Sequence, residues 1–346
     1  MSLREFYLDH GVGENRGVVT LDGRPERLLI SRDGDDERLK VGARLIGRVR
    51  RVEPAIGSAF IDLGGGAEGF LQVKPEARPI EGASLEVEVR AEPRRGKLAM
   101  LREVGAGEGP PRLISAAPDL AGQLAILARG APVITGPAAR LVADEAQADV
   151  LETLFPLPGG GDLAIEPTRA LTAIDVDLGE RKGVDGKRVT RQANLTALAA
   201  AARLLRLKGL GGLVVIDLVG RGHDGAALLA QARAAFAPDN PGVAIGPVTK
   251  FGAMEMSIPR RVAPLHEVLC RADGEINDQT LALALIRDLQ TQAQAQPGGR
   301  FACFCAPPVA TAAQALAEKL AMQIGHRFSI TAAADRPRAS FEVKPQ

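Results

Sequence analysis

The sequence predicts a multidomain α/β protein in which a small β-barrel precedes a mixed-sheet α/β domain, and a small α/β unit ends the chain. The 346 residues exceed the size that one hydrophobic core usually serves. Residues 41–104 carry short strand-like runs between Gly-rich and Pro-bearing turns, which is typical of a small barrel. Residues 166–257 alternate strand-like and helix-like segments, which favours a parallel or mixed sheet.

The composition indicates a folded chain, with 46% hydrophobic and 25% charged residues. The formal net charge is +1, so binding of a polyanion would need locally clustered Lys and Arg. No run approaches the roughly eighteen apolar residues of a membrane span, and the N-terminus lacks the apolar core of a signal peptide. We therefore expect no membrane association and a cytoplasmic location. The sequence contains no CxxC pair, and Cys303 and Cys305 are expected to be buried thiols in a strand.

The first half of the chain reads mainly as strands. Two aliphatic runs flank a DGRP turn within residues 16–33, which predicts a hairpin. Barrel strands are expected in RLIGRVRRVEP, GSAFIDLG and SLEVEVRAEP. From 105 to 165 the composition turns to Ala, Gly and Pro. There the sequence predicts a strand at PVIT and a helix near AARLVADEAQADVLETLF, closed by the turn PLPGGG.

Strands and helices alternate in the second half. ALTAIDVD and LGGLVVIDLV predict two apolar strands joined by the long helix VTRQANLTALAAAARLLRLKG, and the helix GAALLAQARAAFA precedes a strand at VAIGPVTKF. Arg203, Arg206 and Lys208 are expected on the solvated face of the long helix. Beyond Pro264, the order is a helix at DQTLALALIRDLQTQAQ, the strand RFACFCA, a helix at ATAAQALAEKLAMQIG and the strand HRFSITAA.

Asp175 and Asp217 each follow a short apolar run, where a buried strand reaches the edge of the sheet. Two carboxylates that meet there repel each other unless an oxygen-preferring divalent cation lies between them. We therefore expect magnesium, or alternatively manganese, at this pair. Each Asp taken alone would equally well cap a loop or pair with a neighbouring cation. Asp177 projects to the same side, where it would orient a water or a phosphate, or cap the loop.

Basic and aromatic residues accompany these acids in patterns that suit RNA. Phe60 and Phe70 lie amid basic barrel strands, and aromatic faces beside cations suit single-stranded RNA. Spacing alone slightly favours packing of the two rings in the core. Lys97 either adds charge to the barrel or is an ordinary hairpin lysine. The basic residues expected near the acids, where a polyanion could be held, are Arg181, Lys182, Lys187, Arg188, Arg191, Lys250, Arg260 and Arg261.

Three blocks of the sequence resemble successive signature blocks of the ribonuclease E/G family: LTAIDVDLGERKG, RQANLTALAAAARLLRLKGLGGLVVIDL and TKFGAMEMSIPRR. The run GRVRRVEPAIGSAFIDLGGGAEGFL is similar to the OB-fold RNA-binding barrel of that family. The resemblance implies five regions, which are N-terminal strands (1–40), an OB-fold barrel (41–104), a reduced region in place of the 5′-end sensor (105–165), a catalytic α/β domain (166–265) and a small C-terminal α/β domain (266–346).

The resemblance also implies roles for single residues. Asp175 and Asp217 match the two magnesium-binding catalytic aspartates of the family. Asp177 stands where the family usually has Asn, so it adds a negative charge beside the metal. The RNA-binding positions of the family are matched by Phe60, Phe70, Lys97 and Lys250.

The chain departs from the family pattern at other positions. Lys250 stands where the family usually has Arg. A planar guanidinium that can form two parallel hydrogen bonds is thereby replaced by an ammonium, which is a compact point charge. The run LCRADG has Cys270 but places Asp273 where the second cysteine of a zinc-linking CPxC pair would be, so zinc is not expected. Any homo-oligomer would then form without a zinc link. Residues 105–165 show no match to the Arg and Thr that hold a 5′ monophosphate, so cleavage would be independent of the 5′ end.

Together, these features predict a magnesium-dependent endoribonuclease that cleaves single-stranded RNA during RNA processing or decay, rRNA processing included. A metal-activated water would leave 5′-phosphate and 3′-hydroxyl ends. The alternative is a catalytically weak or inactive RNA-binding homologue, which Asp177, Lys250 and the missing zinc link would favour. The presence of both Asp175 and Asp217 favours the enzyme.

Overall fold

The N-terminal residues form the predicted hairpin and one further strand. The computed structural model describes residues 3–74, 76, 78–181, 185–222, 224–239 and 242–346. Strand β1 (Arg4–His10), which was not predicted, pairs antiparallel with β2 (Glu14–Leu21), and β2 pairs with β3 (Arg24–Arg32). Asp22 and Gly23 connect the hairpin with φ of 51° and 76°. These left-handed conformations give the tight turn that matches the twist of paired strands.

The predicted barrel follows and is closed. Its members β4 to β8 run in the order β5-β6-β8-β7-β4, and pairing of β4 with β5 completes the ring. An additional strand, β9, pairs with β4 outside the ring. The inward side chains form an apolar core of their own. The strands are β4 (Arg44–Glu53), β5 (Ser58–Gly64), β6 (Ala67–Gln72), β7 (Ser84–Ala91), β8 (Ala99–Ala106) and β9 (Arg112–Ser115).

The Ala-rich middle region contributes α1 (Leu120–Ala128), β10 (Val133–Thr135), α2 (Pro137–Leu151) and β11 (Leu154–Pro156). The strand predicted at PVIT is β10, and it pairs parallel with β1, so the middle region and the N-terminal strands share the sheet β10-β1-β2-β3. The predicted helix ends four residues early, because the chain from Leu154 becomes a strand paired with the next one.

A mixed six-stranded sheet occupies the centre of the chain, in the order β11-β12-β13-β14-β16-β15. Strands β13 and β14 are parallel, and the long helix α3 makes the crossover between them. Strand β16 was not predicted, and it lies between β14 and β15. The elements are β12 (Asp162–Pro167), β13 (Thr172–Asp177), α3 (Gly186–Lys208), β14 (Gly212–Asp217), α4 (Gly225–Phe236), β15 (Ala244–Val248) and β16 (Ala253–Ile258).

A smaller α/β unit completes the fold, with the sheet order β18-β17-β19. The helix predicted at 310–325 is two helices, because the chain tightens at Leu316, whose N–H bonds to the Ala313 carbonyl. Cys303 and Cys305 are buried in β17 as expected, and burial raises the pKa of Cys303 to about 12. The elements are α6 (Asp278–Ala295), β17 (Phe301–Cys305), α7 (Pro307–Gln314), α8 (Ala317–Ile324), β18 (Phe328–Ala332) and β19 (Phe341–Pro345). The short helix α5 (Leu265–Leu269) precedes the unit, and its leucines are buried in the core of the central sheet.

Within the described ranges, no helix is both long enough and apolar enough to cross a membrane.

Buried ion pairs join the N-terminal sheet to two helices. Arg16 has no exposed side-chain surface, and its Nη2 lies 2.6 Å from Oδ2 of Asp9, which is also buried. A second Arg16 nitrogen lies 2.8 Å from Asp144 on α2. Glu14 binds Arg32 and, on α6, Arg287, each at 2.7 Å. The pairs therefore fix how α2 and α6 sit on the sheet.

The C-terminal end of α3 is buried rather than solvated, so the expectation for Arg203, Arg206 and Lys208 was wrong. Arg203 donates to the Pro25 carbonyl, and Arg206 donates to the Ala235 carbonyl. The Lys208 ammonium donates to carbonyl oxygens of residues 149, 150 and 152 and lies 5.0 Å from the Phe155 ring centroid. Burial lowers its pKa to about 8, so the group remains charged at neutral pH. The Lys208 side chain therefore caps the C-terminal end of α2 by binding its last carbonyl oxygens.

We expect Lys208→Met to lower the free energy of unfolding by about 2–4 kcal/mol, because the last carbonyls of α2 would lose their donor in a buried site. Denaturant titration followed by circular dichroism measures this. The matched control is Lys344→Met, which removes an exposed lysine paired with Glu342 and should change the stability by less than about 1 kcal/mol. Equal effects of the two substitutions would contradict the capping role.

Candidate active site

Asp175 and Asp217 meet at one edge of the central sheet. They are cross-strand partners on the parallel strands β13 and β14, whose backbones run about 4.8 Å apart. Both side chains are exposed, whereas the flanking Ile174, Val176 and Ile216 are buried, so the two carboxylates project from the same face. No hydrogen bond or ion pair joins either carboxylate to another described residue. The sheet therefore places two acids side by side and leaves both open.

Asp177 lies on the same exposed face, two residues after Asp175. Its Oδ1 accepts a hydrogen bond from the Gly179 backbone N–H at 2.5 Å, so this carboxylate caps the loop that leaves β13. Of the two sequence interpretations, the structure shows the capping contact. Asp177 keeps its second oxygen for a further ligand.

The turn between β15 and β16 lies at the same edge, because Ala253 is the strand partner of Asp217. Lys250 is in this turn, and its ammonium lies 4.9 Å from the ring centroid of Phe251. Phe251 is 83% exposed, the highest value for a large apolar side chain among the described residues. Phe251 was not among the residues predicted from the sequence, although an aromatic residue in the Gly-bearing turn TKFG was a visible signal.

Asn194 on α3 is a second residue that the sequence analysis missed. Its side chain is fully buried, its Nδ2 donates to the Val219 carbonyl at 3.0 Å, and its Oδ1 accepts from the Val219 N–H at 3.1 Å. These bonds fix the backbone two residues after Asp217 against the crossover helix. The sequence feature that could have identified Asn194 is that it is a single amide among the apolar residues on the buried side of that helix.

The basic residues expected near the acids divide into two groups. Lys187 and Arg191 on α3 line a 290 Å³ cavity with Arg221, beside the loop that follows β14. Arg260 lies at the opposite end of β14, where its Nε donates to the Gly211 carbonyl at 2.8 Å. The expectation that Arg260 and Arg261 gather near the acids was therefore wrong, because the unpredicted strand β16 carries the chain away from that edge. Lys182 lies outside the described residues.

Arg181 is held by the turn PLPGGG, not by the acids. Its guanidinium donates to the carbonyl oxygens of Gly160 and Pro158 at 2.6 and 2.7 Å. Arg191 lies 3.6 Å from Asp224 across the cavity, in an exposed pair. Arg181 and Arg191 are therefore engaged with other groups, whereas Lys250 lies in the turn that leads to Ala253, the strand partner of Asp217.

Phe60 and Phe70 lie on the outer surface of the barrel, so the slight preference for core packing was wrong. They are cross-strand partners whose ring centroids are 5.9 Å apart in an edge-to-face arrangement. Both are half-buried and lie outside the barrel core, while their neighbours Ile61 and Leu71 point into it. The guanidinium of Arg51 lies 4.5 Å from the Phe60 ring centroid. The surface therefore combines aromatic edges with a cation.

Lys97 is exposed at the end of a tight turn that starts at Arg94. The loop reaches away from the barrel, since the Glu92 N–H donates to the Arg261 carbonyl at 2.8 Å and the Arg95 N–H donates to Glu267 at 2.6 Å. It therefore bridges the barrel to the segment that follows the central sheet, with Lys97 facing solvent.

Comparison with known proteins shows which family the central part of the chain resembles. Residues 138–261, from α2 to the end of β16, match the sequence profile of the Ribonuclease E/G family. Over these residues the chain is similar to the ribonuclease E/G family. It is 35% identical to ribonuclease E of Haemophilus influenzae over 147 residues, 34% identical to ribonuclease E of Escherichia coli over 147 residues, and 28% identical to ribonuclease G of Salmonella typhimurium over 172 residues.

These matches cover 40%, 40% and 47% of the chain, respectively. They cover 16% and 14% of the two ribonuclease E proteins and 35% of ribonuclease G. The matched profile includes both Asp175 and Asp217 as well as Lys250, but it does not include the barrel. The similarity to the ribonuclease E/G family therefore covers the central sheet and its sheet-edge acids and not the barrel.

The segment expected in place of the zinc link is engaged in local contacts. Asp273 binds Arg271 at 2.7 Å and accepts from the Glu275 N–H, and Cys270 forms a backbone bridge with Ile276. In the part of the chain that the structure describes, no cluster of three or more His, Cys, Asp or Glu side chains could hold a metal ion. A metal at the sheet edge would therefore rely on two carboxylates, with water and substrate oxygens as further ligands.

Proposed function

We propose that this protein is a magnesium-dependent endoribonuclease that cleaves single-stranded RNA and leaves 5′-phosphate and 3′-hydroxyl ends. The observation that carries the proposal is the in-register pair of open carboxylates, Asp175 and Asp217, at the edge of a ribonuclease E/G sheet. RNA processing or decay in the cytoplasm, with rRNA among the substrates, is part of the same proposal. The ribonuclease names of the relatives support the RNA substrate.

The donor set of the sheet edge suits magnesium. Two adjacent carboxylates without another described partner repel each other, and a hard divalent cation offsets that repulsion. Manganese prefers the same oxygen ligands and would substitute. When bound, the cation would lower the pKa of a water and offset charge on the reacting phosphate. Asp175 and Asp217 would hold it, and the fixed β13–β14 register would keep both acids in place before RNA arrives.

The other residues of the proposed site position the RNA. Asp177 would orient a water or a phosphate through its free oxygen, while its bound oxygen holds the loop. Lys250 would contact a backbone phosphate at the same edge. On the barrel, Phe60 and Phe70 would stack on unpaired bases, and Lys97 would contact the backbone. Residues 41–104 would thus bind RNA, and residues 166–265 would carry the chemistry.

The deciding experiment is cleavage of a single-stranded, AU-containing RNA by the purified protein with magnesium, with manganese and with EDTA. We expect internal cuts only with a divalent cation, and products whose 5′ ends are degraded by a 5′-phosphate-dependent exonuclease. Substrates with 5′ mono- and triphosphates should be cut at equal rates, because no 5′-end sensor is expected. RNA binding without cuts would support the non-catalytic homologue, which the charge of Asp177 favours. Sedimentation with metal analysis tests for an oligomer without zinc.

Phe60→Ala should weaken binding of single-stranded RNA by about 5- to 150-fold, since stacking of one base on an aromatic ring contributes about 1–3 kcal/mol. The free energy of unfolding should fall by less than about 1.5 kcal/mol, because the ring lies outside the barrel core and the substitution removes its surface contacts with Phe70 and Arg51. Fluorescence anisotropy and thermal melting measure the two effects.

The matched control for the barrel is Ile61→Ala, one residue further along the same strand. Its side chain points into the barrel core, so this substitution should cost about 2–5 kcal/mol of stability. RNA affinity at a temperature where the variant is folded should be retained. If Phe60→Ala destabilised the barrel as strongly as Ile61→Ala and left RNA binding unchanged, Phe60 would be a packing residue.

A further inference from the structure

We propose that Phe251 is a base-binding residue, on which one unpaired RNA base stacks next to the scissile phosphate. The inference rests on the proposed function, because it takes RNA as the ligand of this edge. It adds a subsite that neither the metal-binding acids nor the barrel surface provides. The supporting features are the exposure of the ring, the rigidity of its turn and the lysine against one of its faces.

The exposure of Phe251 is costly for a folded chain. A buried Phe side chain stabilises a fold through the hydrophobic effect, and Phe251 forgoes nearly all of that stabilisation at 83% exposure. A single exposed apolar residue is ordinary by itself. Phe251 differs because its turn lies at the sheet edge that carries Asp217 and, one strand further on, Asp175, where a ligand would cover it.

The turn that carries Phe251 is fixed to the strand that carries Asp217. The Leu218 N–H donates to the Gly252 carbonyl at 3.2 Å, and the Thr249 N–H donates to the Ala253 carbonyl at 2.8 Å. Gly252 has φ of 94°, a conformation that favours glycine and sets the direction in which Phe251 leaves the sheet. Phe251 lies two residues beyond the partner of Asp217, which is at most about 7 Å of chain.

The ring and its neighbour offer complementary groups for a nucleotide. The Lys250 ammonium lies 4.9 Å from the ring centroid on one face, which leaves the other face open to solvent. A base can stack on the open face, while the ammonium is available to the phosphate of the same nucleotide. Every base has such a face, so the subsite would hold a base without reading its identity. An unstacked, single-stranded base is the ligand that fits.

The test uses single-stranded RNA that carries the fluorescent base 2-aminopurine at successive positions, bound to the full-length protein in EDTA so that no cleavage occurs. We expect quenching at one position in the wild type and in Phe251→Tyr. Phe251→Leu, which keeps apolar volume but has no ring face, should lose the quenching. Phe251→Leu and Phe251→Ala should bind the RNA about 5- to 150-fold more weakly with unchanged melting temperatures.

The control variant is Met322→Ala, which removes a side chain that is 80% exposed on α8, in the C-terminal α/β unit. It should leave both quenching and affinity at the wild-type level. Affinity and quenching within twofold of the wild type in Phe251→Ala would overturn the inference, even if the protein cleaves RNA. Quenching that depends on Phe251 in a protein that never cleaves RNA would support the subsite and overturn the proposed endonuclease activity.

Discussion

Asp217→Asn should reduce magnesium-dependent RNA cleavage by about three orders of magnitude or more. The substitution keeps the size of the side chain but removes one of the two negative charges proposed to hold the cation. Loss of several kcal/mol of charge stabilisation at the reacting phosphate corresponds to a rate loss on the order of 10³-fold, at 1.36 kcal/mol for each tenfold change. Single-turnover cleavage at saturating protein measures the effect on the chemical step.

The stability of this variant distinguishes loss of the site from loss of the fold. Asp175 and Asp217 are like charges in register, and their repulsion in water is about 1 kcal/mol at such separations. Removing one charge should therefore leave the melting temperature in EDTA unchanged or slightly higher. Magnesium should raise the melting temperature of the wild type but not of the variant, since a ligand that binds the folded state stabilises it.

Glu166→Gln provides the matched control. Glu166 is an exposed acid on β12, and its partner Ala173 lies two residues before Asp175, so Glu166 projects from the same sheet face further from the edge. Cleavage and the magnesium effect on melting should be retained. If Asp217→Asn cleaved RNA as fast as Glu166→Gln, the paired carboxylates would not be the catalytic site. Asp175→Asn should match Asp217→Asn, and the double variant should be little worse, because the two acids act as one unit.

The pairing of these two acids was predictable because it depends on local sequence alone. Each Asp ends an apolar run of strand length, and a single helix connects the runs, so a parallel pair with both acids at its carboxyl end is the favoured arrangement. The structure has this arrangement, with the two residues in register. The other strand next to β14 was less predictable, because the chain forms α4 and β15 before β16 pairs with β14.

The missed features depend on contacts distant in sequence. The expected position of Arg260 was wrong because β16 carries the chain back to the opposite end of the sheet, and the sequence did not predict that strand. The burial of Lys208 depends on where α2 ends, 56 residues or more earlier in the chain. Side chains alternate between the two faces of the strand that carries Phe60, and the outward orientation of Phe60 depends on which of these faces is turned toward the barrel core. Local patterns leave all three choices open.

Arg16→Met should have the largest effect on stability of the substitutions considered, lowering the free energy of unfolding by about 3–5 kcal/mol. Arg16 has no exposed surface, and its partner Asp9 is 3% exposed. Removing the guanidinium leaves the Asp9 carboxylate buried, with Arg140 at 3.2 Å as its remaining cation among the described residues. Arg90→Met is the surface control, because the ion pair of Arg90 with Glu88 is exposed and should contribute less than about 1 kcal/mol.

The double variant Arg16→Met with Asp9→Leu shows where the cost of the single variant arises. An apolar pair of similar volume makes no unpaired buried charge, so much of the lost stability should return. Recovery should be incomplete, because Arg140 loses its ion pair with Asp9 and is left, among the described residues, with its bonds to the uncharged Gln290 and Thr291. Recovery in urea titrations would show that the single variant loses stability mainly because the Asp9 carboxylate is left buried without its partner. A double variant no more stable than Arg16→Met would instead assign the loss to packing around the long arginine side chain.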